Sequence, residues 1–210
     1  MPKQKDTKLL ILDAALNLFS KRGYDGVGLR DLAQEVGIRE SAIYKHFKGK
    51  QDIFDSLLEQ MNNEYNAFAM SINVQSDLSK MIDKYKTISE NDLIMICNSF
   101  FMYFAKDERA SKFRKILTME QFRNKEIGLL YKTLYFDNVL AYHTEIFKGL
   151  IAAGTIIDVS PEIVALHFYS PIFVLLTSFD EQKISELDVM KKLELHVKQF
   201  RTIYYKEQLL

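Results

Sequence analysis

Residues 29–47 read LRDLAQEVGIRESAIYKHF, two short amphipathic stretches with a glycine between them. In the first, Leu32, Ala33 and Val36 fall on one side of a 3.6-residue period before Gly37 stops it. The second runs from about Arg39 to His46 or Phe47, with Ile38, Ile43 and Phe47 directed the same way. Helices of about eight residues are marginal alone in water and must pack on something longer. The segment before them supplies it: Thr7–Arg22 carries Ile11, Ala14, Ala15, Leu18 and Phe19 along one helical face, and Lys21 and Arg22 in its last turn precede Gly23. Two short helices at an angle, joined by a glycine-bearing turn and packed on a third, form a helix-turn-helix.

With Ile43 inward, a 3.6-residue period turns Ser41 and Lys45 outward, flanked by Ala42 and Tyr44, with Arg39 and Glu40 at the helix start. Small side chains let a helix backbone approach base edges, and Ser, Lys and Arg supply donors, so this face suits a DNA major groove. The same composition also suits the solvated side of a small bundle. Net charge over the chain is zero, from 28 basic and 28 acidic residues, yet residues 1–50 hold ten Lys or Arg against six Asp or Glu. A basic headpiece on an acidic body favours the DNA reading.

Other chemistries find little support. GYDGVG at 23–28 lacks the Lys-Ser/Thr of a phosphate-binding loop and follows a helix, not a strand. A carboxylate di-iron site needs Glu three residues before His, but Ile43, Leu140, Val164 and Leu193 precede the four histidines at that spacing. No GxSxG or HExxH occurs, so neither a catalytic residue nor a metal site is expected. The single Cys97 lies in an apolar run and reads as a buried thiol of a reducing cytoplasm. Ile163–Phe179 approaches the length of a membrane span, but His167, Ser170 and Pro171 and the lack of a basic flank favour a buried helix and no membrane partner.

Beyond Gly49 a long helix over about 50–70 leads into helical patterns near 77–88, 91–105, 107–121, 125–134, 136–153, 161–179 and 185–207. With 3 prolines and 8 glycines in 210 residues, the expectation is an all-α chain of about nine to eleven helices. A helix-turn-helix domain at 1–50, continuing into the linking helix, would precede a helical effector-binding and dimerisation domain at 51–210.

The run ILDAALNLFSKRGYDGVGLRDLAQEVGIRESAIYKHFKGKQDIFDSLL resembles the DNA-binding domain of TetR-family transcriptional regulators, through AA and LF, the following Gly, RDLA, VGI, IYKHF and KGKQDIF. The downstream EQFRNKEIGLLYKTLYFDNVLAYHTEIFKGLIAAG and HFYSPIFVLL are similar to one group of its ligand-binding domains. The resemblance implies that Tyr44 and Lys50 contact phosphates and that Arg39, Glu40, Ser41, Ala42 and Lys45 read bases. Gly28 stands where the family usually has a capping Thr or Ser, leaving a backbone N–H contact, and Arg39 replaces a common capping Ser. Arg39, Lys48 and the Lys3, Lys5 and Lys8 arm could compensate at phosphates.

Met190, Leu193, Val197, Phe200 and Tyr204 recur at three and four residues, a packing seam that could bury against the chain's own body or a second copy. In the resembled family, helices so placed form a four-helix bundle across a two-fold axis, which would set two recognition helices on a near-palindromic operator. Phe101, Phe104, Phe122, Tyr135, Tyr142, His143 and His167 are candidates to line a pocket for an apolar or aromatic small-molecule effector. A homodimeric, ligand-responsive repressor without cofactor is the resulting expectation. The alternative is a helical small-molecule-binding or protein-interaction module that no longer reads DNA.

Overall fold

The structure, a computed structural model, describes residues 6–74 and 77–206. Its helices are α1 (Thr7–Arg22), α2 (Leu29–Val36), α3 (Glu40–Ile43), α4 (Lys50–Ser71), α5 (Leu78–Lys86), α6 (Glu90–Lys106), α7 (Glu108–Glu120), α8 (Lys125–Lys132), α9 (Asn138–Ala152), α10 (Pro161–Asp180) and α11 (Glu186–Tyr204). A π-helical stretch, Thr133–Asp137, joins α8 to α9 end to end, so the eleven segments make ten separate helices among the described residues. The fold is all-α, with a helix-turn-helix at its N-terminal end. The chain divides into two compact units, residues to Phe68 with Glu108–Tyr131, and Ala69–Asp107 with Lys132 onward.

In the first unit α1 packs on α2 and α7. Ile11, Ala15, Leu16, Phe19, Leu32, Ile43, Ile53, Leu57, Ile116 and Leu117 are almost wholly removed from solvent. Each large apolar side chain so buried contributes about 1.5–3 kcal/mol before conformational entropy is counted, which is what holds helices as short as α2 and α3. Phe19 meets Tyr24 edge to face at 5.3 Å, Tyr24 meets Phe54 likewise at 5.2 Å, and Phe54 lies tilted against Phe113 at 6.1 Å. Polar struts add to it: Arg109 on α7 donates to Glu64 on α4 at 3.0 Å and pairs with Asp13 on α1, while Lys112 donates to Asn17.

Gly37 ends α2 in the left-handed region, φ 76° and ψ 30°, its N–H returning to the carbonyls of Ala33 and Gln34. The next helix is shorter than its sequence suggests. α3 holds its helical ladder only to Ile43, and residues 44–46 continue as turns whose His46 and Phe47 N–H groups both meet the Ile43 carbonyl. Arg39 offers no side-chain cap, and the inward pull of Ile43 and Phe47 decides the path of so short a segment.

The second unit is framed by side-chain caps. Asp77, Ser89, Ser160 and Ser185 each accept an N–H from the first turn of the helix that follows. α9 and α10 pack together, α5 lies on α9, and α11 packs on α6 and α10. Met81, Leu93, Cys97, Ile146, Leu150, Val164, Phe168, Val197 and Phe200 form its core, and Phe101, Leu176, Val189 and Leu193 a second cluster. Burial pushes the Cys97 thiol up to about 12 and keeps it protonated. A short antiparallel bridge of Ile156 with Tyr205 ties the end of α11 to the segment before α10. By length and composition α10 could cross a membrane, yet part of it lies in this core, and Tyr169 Oη donates to the Tyr135 carbonyl at 2.7 Å.

Candidate nucleic-acid interface

Residues 39–48 split cleanly by direction. Ile43 is wholly buried and Phe47 nearly so, whereas Arg39, Glu40, Ser41, Lys45, His46 and Lys48 are exposed, Ala42 is half-buried, and Tyr44 is 57% exposed. Tyr44 thus stands open to solvent beside the basic side chains of Arg39, Lys45 and Lys48. The exposed face presents Ser41 and Lys45 centrally, as the period requires, with Arg39 and Glu40 leading in. Lys8 lies with its ammonium 5.6 Å from the Phe47 ring centre, close behind this face. Lys3 and Lys5, the rest of the expected basic arm, lie outside the described residues.

Two expected phosphate contacts are engaged internally. Lys50 Nζ donates to the Tyr24 carbonyl at 3.0 Å and stands 4.2 Å from the Tyr24 ring centre. The Gly28 N–H donates to Asp31 Oδ2 at 2.8 Å, so the N–H that a capping glycine was expected to offer to DNA already has an acceptor. That bond, with Arg22 3.2 Å from the other oxygen, holds the Asp31 carboxyl below its ordinary range. Lys48 keeps its side chain exposed, and its own N–H caps α4 through Asp52 Oδ2 at 2.7 Å.

Six of the seven candidate effector residues belong to the second unit. Phe104 and Tyr135 meet edge to face at 5.7 Å, and Tyr142 adjoins His143 at 5.5 Å. Around the His143 ring stand Phe147, Phe168 and Tyr169 as well. Burial pushes its imidazole down to about 4, so it is neutral near pH 7. Phe101 packs against Phe179 in the second core cluster, and His167 is exposed, its Nδ1 paired with the Tyr204 hydroxyl. Phe122 departs from expectation: it is 92% exposed in the turn after α7, in the first unit, apart from the other six.

The expected dimer seam needs correction. Leu193 and Val197 are wholly buried and Phe200 and Tyr204 nearly so, all within this chain's own core, with Met190 partly buried against the cluster that holds Leu193. A side chain already buried in its own protomer offers no area to a second. The apolar side chains left open on these helices are Ile163, Leu166 and Val174 of α10 and Leu187, Leu195 and Ile203 of α11. Glu120, which no motif in the sequence marks, is buried with Oε1 accepting the Tyr24 N–H at 3.0 Å. Its only sequence signal is a glycine, Gly23, at a distant turn.

A helix-turn-helix with an exposed, donor-rich second helix defines the class of DNA-binding regulators. Residues 11–57 match the family described as "Bacterial regulatory proteins, tetR family". Over that segment the chain is similar to the DNA-binding part of TetR-family transcriptional regulators, and it spans under a third of the length of several of the curated relatives it matches. It is 35% identical over 60 residues to the biofilm operon regulator IcaR of Staphylococcus epidermidis, a stretch covering 29% of this chain and 32% of that relative. To the fatty acid metabolism regulator protein of Bacillus subtilis it is 24% identical over 153 residues, 72% of this chain and 70% of the relative. Among solved structures, a TetR-family regulator of Mesorhizobium loti superposes with a TM-score of 0.71 at 19% identity, covering 98% of this chain and all of the other. A complex of SmeT with triclosan superposes with a TM-score of 0.70 at 18% identity over 97% and 94%.

Proposed function

We propose that this protein is a ligand-responsive repressor that binds a near-palindromic operator as a homodimer in the bacterial cytoplasm. The observation carrying this reading is the division of residues 39–48, in which Ile43 and Phe47 anchor a segment whose remaining side chains reach outward. Lys45 and Arg39 offer donors to guanine, Glu40 an acceptor for a cytosine amino group, and Ser41 and Ala42 the close approach these contacts need. Tyr44 and Lys48 would hold phosphates. Lys50 would join them by leaving the Tyr24 carbonyl, and Gly28 by the backbone turn it forms.

Support for the dimer comes from α10, whose exposed Ile163, Leu166 and Val174 fall within an arc of about 80° at 3.6 residues per turn. With Leu195 and Ile203 of α11 they give a second copy an apolar surface to cover. Two recognition segments across that axis would read half-sites about 34–36 Å apart. The effector reading rests on the rings around His143, a neutral polar group in an aromatic setting, which suits an apolar or aromatic molecule better than a small anion. Relatives of this fold are described in complex with triclosan and with stearoyl-CoA.

Selection from a randomised duplex library at near-physiological salt tests the proposal. Enrichment of a palindrome with two half-sites one helical turn apart supports it. No enrichment at any salt concentration would overturn it and leave the DNA-independent module.

A further inference from the structure

Tyr24, in the turn between α1 and α2, is held at every polar atom. Its N–H donates to Glu120 Oε1 at 3.0 Å, its carbonyl accepts from Lys50 at 3.0 Å, and its hydroxyl donates to Gln51 at 2.9 Å. Glu120, the last residue of α7, is only 1% exposed, and its Oε2 has no hydrogen-bond partner among the described residues. Gly23 makes room for it: a Cβ there would stand 2.4 Å from Glu120 Oε1, and φ of 77° suits glycine in any case. Burying a carboxyl group with one oxygen unsatisfied is unfavourable, and an apolar side chain would serve packing better. The acid must therefore be explained by what it holds.

We infer that Glu120 is a positioning residue for DNA binding: from α7 it fixes the Tyr24 peptide, and with it the placement of α2 and α3 on α1. The inference rests on the regulator reading above. Residues 108–131 group with the helix-turn-helix, while the chain on either side, at Asp107 and Lys132, belongs to the second unit. Arg109 anchors the start of α7 to Asp13 and Glu64, and Glu120 anchors its end, about 16 Å further along the helix. A shift of α7 along its axis reaches the reading helices through the Tyr24 amide.

Two substitutions test this. Glu120→Gln keeps an acceptor in place; Glu120→Asp withdraws it by about 1.5 Å while leaving an acid. Affinity is measured for the duplex that the wild-type protein enriches from a random library, with amide exchange at Tyr24 and urea unfolding on the same samples. The expected result is a tenfold or greater rise in Tyr24 exchange and a tenfold weaker duplex affinity, per folded molecule, for Glu120→Asp. Glu120→Gln stays within threefold of wild type on both. A folded Glu120→Asp protein with a protected Tyr24 amide and wild-type affinity overturns the inference, as does an affinity loss no larger than its unfolded fraction. Should Glu120→Asp not fold, Glu120→Gln decides alone, since a tenfold loss with the acceptor retained contradicts the mechanism. If wild type enriches no duplex, the regulator reading fails by itself, and exchange at Tyr24 still decides whether Glu120 holds the turn.

Discussion

The half-buried imidazole of His143, ringed by aromatic side chains, gives the second unit a pH dependence that can be isolated. Its folded value of about 4 lies well below the ordinary 6.5, because burial among aromatic rings disfavours the charged form. Above pH 6.5 the ring is neutral in both states. Below it the unfolded chain takes up a proton that the folded chain refuses, so stability is lost as pH falls from 6.5 toward 4. At pH 5, one and a half units under the ordinary value, linkage sets the loss at about 2 kcal/mol relative to pH 7.5. Asp31, Asp77, Glu108 and Glu162, whose values are depressed by hydrogen bonds, also lose stability in acid, but lower down and in both proteins compared. His143→Phe retains a ring and removes the titration. Urea unfolding followed by helical circular dichroism at pH 7.5 and 5 should show wild type losing about 2 kcal/mol more than the variant, a midpoint difference of about 1 M. Equal losses in the two proteins would refute a His143 held neutral by its surroundings.

Three further outcomes follow from the packing. Val174→Glu, at an exposed site on α10, should leave folding unchanged and convert a sedimenting dimer to monomer; a dimer of undiminished affinity would move the interface elsewhere. Lys50→Ala removes the ammonium from the Tyr24 carbonyl and ring, and should lower stability by about 1 kcal/mol in urea with no DNA present. Ile43→Ala empties a fully buried site under α3 and should cost about 2–5 kcal/mol, seen as a lower urea midpoint of the purified protein.

Much of the helical order was legible because periodicity and punctuation agreed. Gly23 and Gly37, Lys21 and Arg22, and the capping serines lie where the helices begin and end. Periodicity shows which face is apolar, not whose surface covers it. The Leu193–Tyr204 seam of α11 is therefore its own core, and the informative residues are Leu195 and Ile203, apolar where the helix is otherwise polar. Phe122 was misleading because an aromatic in a turn has no periodic partner to show that it faces solvent. The π-helical stretch at Thr133–Asp137 carries no Pro or Gly to mark it, and so reads as a break between two helices. Glu120 lies in a charged helix with no periodic sign of burial; the space it fills is left by a glycine 97 positions earlier.

The proposed function stands on the exposed side of residues 39–48 reading sequence. Repeating the duplex selection with Tyr44→Ala and Lys45→Ala proteins tests it most directly. The first change should weaken binding evenly across sequences and keep the wild-type consensus, while the second alters the preferred base at one position of each half-site, by about 1–3 kcal/mol of discrimination. An unchanged consensus and affinity for Lys45→Ala would contradict it.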